Sequence, residues 1–350
     1  MQLINNAIGG ACAPPSIKFD DRLILAGLFA VALWVWGPNV FYGHAHMLIV
    51  FGVLALSIMA MDKAIFAFGA FLAAWFAYFY SAFSVGKIVF DETIIQAIDS
   101  LIFFMVGLVV YIVVKFGRTE NKSYYNAICT ISIILSIMGL IQYFYGHQMA
   151  RATLGNQNFL AAFLAVSTIL FFRKKWWMFL PLIIGVLFLT HTSTAIAAIC
   201  VGVGFYVWGW IGAAVSINFG MVYFMLFKTP DSLIARIEYW TDAFNKVSAH
   251  WYTFVFGVGP GVYWQPGNML HSEYAYLLWN FGIIGLLIVV AYIVRTFLTI
   301  KDRMLLSVFV VILIDSIGNH LMHTAATAMP AIIIIALMDR ENIGRVEQWL

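Results

Sequence analysis

Four short stretches carry the polar side chains best suited to chemistry. Residues 151–158 read R-A-T-L-G-N-Q-N and lead into an apolar run. Arg151, Asn156 and Asn158 at a helix entrance can bind an oxyanion, because the first turn of a helix presents free N–H groups. The same residues also suit a plain cap beside an interfacial arginine. Thr190-His191-Thr192-Ser193-Thr194 places five hydrogen-bonding side chains between two apolar segments. His191, Ser193 and Thr194 can bind a ligand there, or simply satisfy a turn. Arg236 lies four residues before Trp240. Its planar guanidinium can make two parallel charged hydrogen bonds to a phosphate, or can snorkel to a membrane surface. Last comes His271-Ser272-Glu273. His271 can take a proton from a hydroxyl near neutral pH. Glu273 can orient it, or can complement a helix dipole.

Other polar features carry less. Gly257, Gly259 and Gly261 look like a nucleotide loop, but no βαβ unit surrounds them. Asp99 and Asp315 lie inside apolar runs. Carboxylates so placed often mark ion or proton paths, which keeps a transporter as the competing class. No convincing repeat relates the two halves of the chain, as many transporters would show. Cys12, Cys129 and Cys200 have no metal-ligand or disulfide spacing, and no cluster elsewhere is spaced for a metal.

The elements that must position these residues follow from composition. The chain has 350 residues, 63% hydrophobic and 10% charged, with mean hydropathy +0.93. Soluble domains are about 45–50% apolar and about 25% charged. A cytosolic globular protein, a disordered chain and a disulfide scaffold are excluded. A formal net charge of +3 offers a nucleic acid no electrostatic footprint. A membrane span takes about 20 apolar residues. The pattern predicts an all-α polytopic membrane protein, a single domain over 1–350. Its twelve helices are expected near 23–41, 44–61, 64–85, 94–114, 124–145, 156–172, 176–191, 193–209, 211–227, 272–294, 304–319 and 323–338. The stretch 193–227 reads either as two short helices broken near Gly209-Trp210-Ile211-Gly212 or as one long tilted helix. The first long apolar run follows Arg22, and no cleavable signal peptide is expected.

Basic residues collect in cytoplasmic loops. With both termini inside, the inner segments hold Lys18, Arg22, Lys63, Lys115, Arg118, Lys122, Arg173, Lys174, Lys175, Arg295, Lys301, Arg303, Arg340 and Arg345, most of the chain's 19. The outer segments hold only Lys87, Arg151, Lys228, Arg236 and Lys246. All eight histidines then fall at outer ends or loops (His44, His46, His147, His191, His250, His271, His320 and His323). The one long loop, 228–270, is also outer, and loops this long are often functional. Within it Leu233, Ile237, Trp240, Phe244 and Val247 recur at helical spacing. They predict an amphipathic helix on the outer membrane surface.

Taken in order, these motifs resemble the O-antigen ligase and O-antigen polymerase superfamily, polytopic glycosyltransferases of the GT-C type. Arg151-Ala-Thr-Leu-Gly155-Asn156-Gln-Asn158-Phe-Leu-Ala161 is similar to the family's helix entrance. Arg236-Ile-Glu-Tyr-Trp240-Thr-Asp-Ala243, followed by Gly257-Val-Gly259-Pro-Gly261, resembles its periplasmic loop. His271-Ser-Glu-Tyr274, continuing through Leu277, Gly282-Ile-Ile-Gly285 and Leu286, resembles its H-N-x-Y-L…G-x-x-G signature. The motifs cover about 151–287. Two positions depart. Ser193-Thr194 stands where the family often has Ser-Arg, so one diphosphate-binding arginine is missing and Arg151 is its candidate replacement. His271-Ser272 stands for His-Asn, which leaves the base in place.

The resemblance implies transfer of a glycan from an undecaprenyl-diphosphate carrier to an acceptor hydroxyl at the periplasmic face of the bacterial inner membrane. Arg236, and secondarily Arg151, would meet the diphosphate, and His271 would activate the acceptor. Asn156, Asn158, His191, Ser193, Thr194, Trp240 and Glu273 would bind substrate. No cofactor or metal is expected. The acceptor stays open between lipid A-core, a second lipid-linked glycan and a protein side chain; the sugar, the linkage and the oligomeric state are open too.

Overall fold

Long apolar runs favour the one form that satisfies the backbone within a single segment, the helix. Every regular element among the described residues is helical. The structure, a computed structural model, describes residues 107–349 apart from 109, 118–119, 147–148, 155, 174, 228–230, 259–269, 320 and 322–324. The expected helices at 23–41, 44–61 and 64–85, most of the one at 94–114, and Asp99 lie outside the described residues.

Residues 107–108 and 110–116 are helical, and ten further α-helices follow: α1 Asn121–Gly146, α2 Gln157–Thr168, α3 Leu180–Leu189, α4 Ser193–Trp208, α5 Trp210–Phe227, α6 Asp231–Ser248, α7 Trp251–Phe256, α8 Glu273–Thr299, α9 Arg303–Gly318 and α10 Ala325–Trp349. Helix α1 (26 residues) and α8 (27 residues) are long and apolar enough to cross a membrane. The stretch 193–227 is two helices. They part at Gly209, whose φ of +65° suits glycine. They then fold back so closely that a side chain at Gly204 or Gly212 would strike the backbone of the other. Helices α1 to α4, α9 and α10 share one core, which includes Ile128, Phe163, Leu164, Ala198, Val311 and Leu337, each wholly buried. Gly202 lets α4 approach α9: a Cβ there would meet Val311.

One end of this bundle is cationic. The Asp302 carboxylate caps α9 by accepting from the Met304 and Leu305 amides at 2.8 and 3.0 Å. Beside it the Arg303 Nε donates to the Phe205 carbonyl at 3.3 Å. The Tyr111 and Tyr292 hydroxyls both donate to buried Asp339. The Arg295 guanidinium stands 4.0 Å from that carboxylate, and Lys115 Nζ donates to Tyr111 at 3.0 Å. The candidate clusters gather at the opposite end, roughly 24 Å away by the 16-residue length of α9.

Helices α6 and α7 pack on α8 through Ala243, Val247, Leu270, Tyr276 and Trp279. Helix α8 breaks at Gly282, whose φ of 63° and ψ of −163° are open to glycine alone. The break frees carbonyls of the preceding turn, and that of Trp279 accepts from the Val258 N–H at 2.7 Å. A side chain at Gly282 would meet the Val255 backbone, and one at Gly257 the backbone of Asn280. We expect Gly282→Ala to cost at least about 1–3 kcal/mol of local strain. In a detergent thermal-unfolding experiment it should melt clearly below wild type. An unchanged melting point would show that this contact does not hold α7 on α8.

Candidate functional site

Helix α6 covers the predicted periodic residues 233–247, and one side of it packs on protein. The predicted apolar face was Leu233, Ile237, Trp240, Phe244 and Val247. The side buried against protein is Ala243 and Val247, with Arg236, Tyr239 and Trp240 partly buried beside them. Ile234, Ile237 and Phe244 stay about half exposed. The inward side is the one that meets α7 and α8, and Arg236 is carried in with it.

Arg236 is half-buried, and its Nη1 donates to the Gly318 carbonyl at 3.0 Å. That carbonyl ends α9, where the unsatisfied C=O groups hold partial negative charge and favour a cation. Burial lowers the guanidinium's pKa, although arginine stays charged at any ordinary pH. One turn on, the Trp240 Nε1 donates to the Leu270 carbonyl at 2.6 Å. This bond clips α6 to the residue before His271.

His271 is half-buried at the entrance to α8. Burial, and then the positive charge of Arg236, push its pKa below the ordinary 6.5. Both causes favour the neutral imidazole, the form that can accept a proton, and Arg236 is near enough to be felt. Ser272 caps the helix, its Oγ accepting from the Ala275 N–H at 3.5 Å. Glu273 follows, buried, in the first turn. The Tyr274 hydroxyl reaches α9 and donates to the Leu313 carbonyl at 3.0 Å.

Thr194 and Asp315 join this group through a residue that sequence reasoning missed. The Asn319 Nδ2 donates to Thr194 Oγ1 at 2.9 Å and to Asp315 Oδ1 at 2.6 Å. Asp315 is wholly buried, and its Oδ2 has no hydrogen-bond partner among the described residues. Leaving such an atom unmatched costs about 1–3 kcal/mol, more when charged. The transporter candidate Asp315 and the enzyme candidate Arg236 thus meet at one helix end. A weak signal was available: Asp315 and Asn319 are four residues apart, and Gly318-Asn319 is a helix-stop pair.

The remaining candidates divide. Asn156 is a cap: its Oδ1 accepts from the Asn158 N–H at 2.8 Å. Asn158 Oδ1 accepts from Thr192 Oγ1 at 3.0 Å and ties the start of α2 to the start of α4. Ser193 opens α4, partly buried. His191 is exposed in the turn before it. Arg151 is exposed, and among the described residues it makes no hydrogen bond or ion pair to the Arg236 group. Gln142 of α1, also missed, holds its backbone, accepting from Arg151 N at 3.1 Å and donating to Ala152 O at 2.8 Å.

Backbone conformation marks the same end of the bundle. Among the described residues, three non-glycines have left-handed φ: Ala152 (48°), His191 (54°) and His271 (50°). Each lies in one of the four clusters, and His191 and His271 stand just ahead of α4 and α8. Residues in such rare conformations cluster at functional sites. No protein-family model matches this sequence, and no curated protein does either.

Proposed function

We propose that the chain is a twelve-span glycosyltransferase of the bacterial inner membrane, with its active site on the periplasmic side. It would transfer a glycan from undecaprenyl diphosphate to an acceptor hydroxyl. The observation that carries this reading is the convergence of Arg236 and His271 at one end of the bundle, where Trp240, one turn beyond Arg236, clips α6 to Leu270, the residue before His271. One residue suits a leaving diphosphate and the other suits an incoming hydroxyl.

In this reaction His271 takes the acceptor's proton as the acceptor oxygen attacks the anomeric carbon. The bond from that carbon to the phosphate oxygen breaks, and the diphosphate leaves with the electron pair. Charge developing on the leaving oxygen is where fixed cations help most, and Arg236 is placed to supply one. The apolar stripe Ile234, Ile237 and Phe244 supports a position of α6 against lipid, where a lipid-linked donor would arrive. The strongly one-sided basic residues support the topology.

Deleting the gene and running surface polysaccharide on a gel tests the proposal. Loss of all long glycan from the lipid core identifies a ligase. A single repeat unit left on the core identifies a polymerase. An unchanged ladder rejects both.

A further inference from the structure

We propose that Asn319 is the positioning residue for Arg236; the proposal rests on the reading of Arg236 as the group that meets diphosphate. Arg236 holds on to the protein through the Gly318 carbonyl, so its aim depends on where that carbonyl points. Gly318 is the last residue of α9, where the chain leaves the helix and becomes extended at Asn319. Such a turn frays unless something pins it.

Asn319 pins it twice. Its backbone N–H closes on the Asp315 carbonyl at 2.9 Å. Its side-chain amide spends both hydrogens, one on Thr194 of α4 and one on Asp315 one turn back. The bond to the Asp315 carboxyl is short, at 2.6 Å. Asp315 has no other side-chain hydrogen bond among the described residues, so this amide is what holds the buried acid. Asn319 itself is buried. Gly318 is squeezed from the same direction: a Cβ there would press on the Thr194 side chain and on Arg236 Nη1, 3.0 Å away. The carbonyl that receives Arg236 is thus fixed by two helices, α4 and α9, acting through one amide. No part of Asn319 need touch the donor.

The test uses the full-length protein in lipid nanodiscs, with undecaprenyl diphosphate lacking any sugar as the probe. Asn319→Ala should weaken probe binding about tenfold, with some loss of melting temperature because the buried Asp315 carboxyl loses its partner. In an Arg236→Gln background, itself weaker, adding Asn319→Ala should change the dissociation constant less than twofold, because the residue through which Asn319 acts is gone. A tenfold effect in both backgrounds would mean a general structural role and overturn the proposal. No effect in either would overturn it too. If Asn319→Ala does not accumulate, Thr194→Val removes the same bond from the other side, and the same pair of comparisons decides. The exchange Asp315→Asn with Asn319→Asp keeps a carboxylate facing an amide and should restore binding to within threefold of wild type, whereas Asn319→Asp alone should not. Should the wild-type protein bind no undecaprenyl diphosphate, the diphosphate reading of Arg236 fails first and this proposal falls with it.

Discussion

Replacing His271 with alanine is expected to lower glycan transfer by about 10²–10⁴-fold, the usual worth of a positioned base. The protein should still accumulate in the membrane. A control is needed because His271 has a φ of 50°, a conformation that alanine resists and asparagine tolerates. His271→Asn keeps the backbone and removes the base. It should be as inactive as the alanine variant, at wild-type abundance. Transfer at the wild-type rate by His271→Asn would end the base assignment.

The acid limb of the pH profile gives a second reading of the same residue. Burial and the Arg236 charge both lower the His271 pKa from 6.5. A lowered pKa favours the neutral form. Base-competent enzyme is therefore present above that pKa and is lost as pH falls through it, so the limb should lie below 6.5 in kcat/KM for the donor. Arg236→Gln removes one of the two causes and should move the limb upward. Bound diphosphate offsets the same charge, so the limb in kcat at saturating donor should sit above the limb in kcat/KM. A limb that ignores Arg236→Gln would mean that the two groups are not coupled.

What could be read in advance was what depends on near neighbours in the chain. The break between α4 and α5 was one of two open readings, and Gly209 decided it by taking a φ of +65°. The extent of α6 followed from its periodicity. Its inward side did not, because the stripe of Ile234, Ile237 and Phe244 adjoins the stripe of Tyr239, Ala243 and Val247. Which one packs on protein depends on where α7 and α8 arrive. Asn319 was illegible for a similar reason: its meaning lies in a bond to Thr194, 125 positions earlier. For Asn156 the sequence could not tell a cap from a ligand; the structure shows the cap, with its Oδ1 accepting from the Asn158 N–H at the start of α2.

Arg236→Lys is expected to lower donor kcat/KM by about 10–100-fold, matching the roughly 1.5–3 kcal/mol of one hydrogen bond to a charged group. A guanidinium has five N–H donors. Arg236 uses Nη1 on the Gly318 carbonyl, which leaves donors on its other nitrogens for a phosphate. The anchored arginine is therefore already aimed when the donor arrives, and ordering it then costs little. A lysine has a single nitrogen and must divide it between the carbonyl at the end of α9 and the diphosphate. It keeps the charge but loses either the anchor or the fork. Arg236→Gln loses the charge as well and should fall further, by about 10²–10³-fold, the scale of removing one group that stabilises charge in the transition state. The order arginine, lysine, glutamine is the prediction. Wild-type turnover with lysine would mean that charge alone suffices and that the fork geometry is incidental. Wild-type turnover with glutamine would remove Arg236 from the reaction altogether.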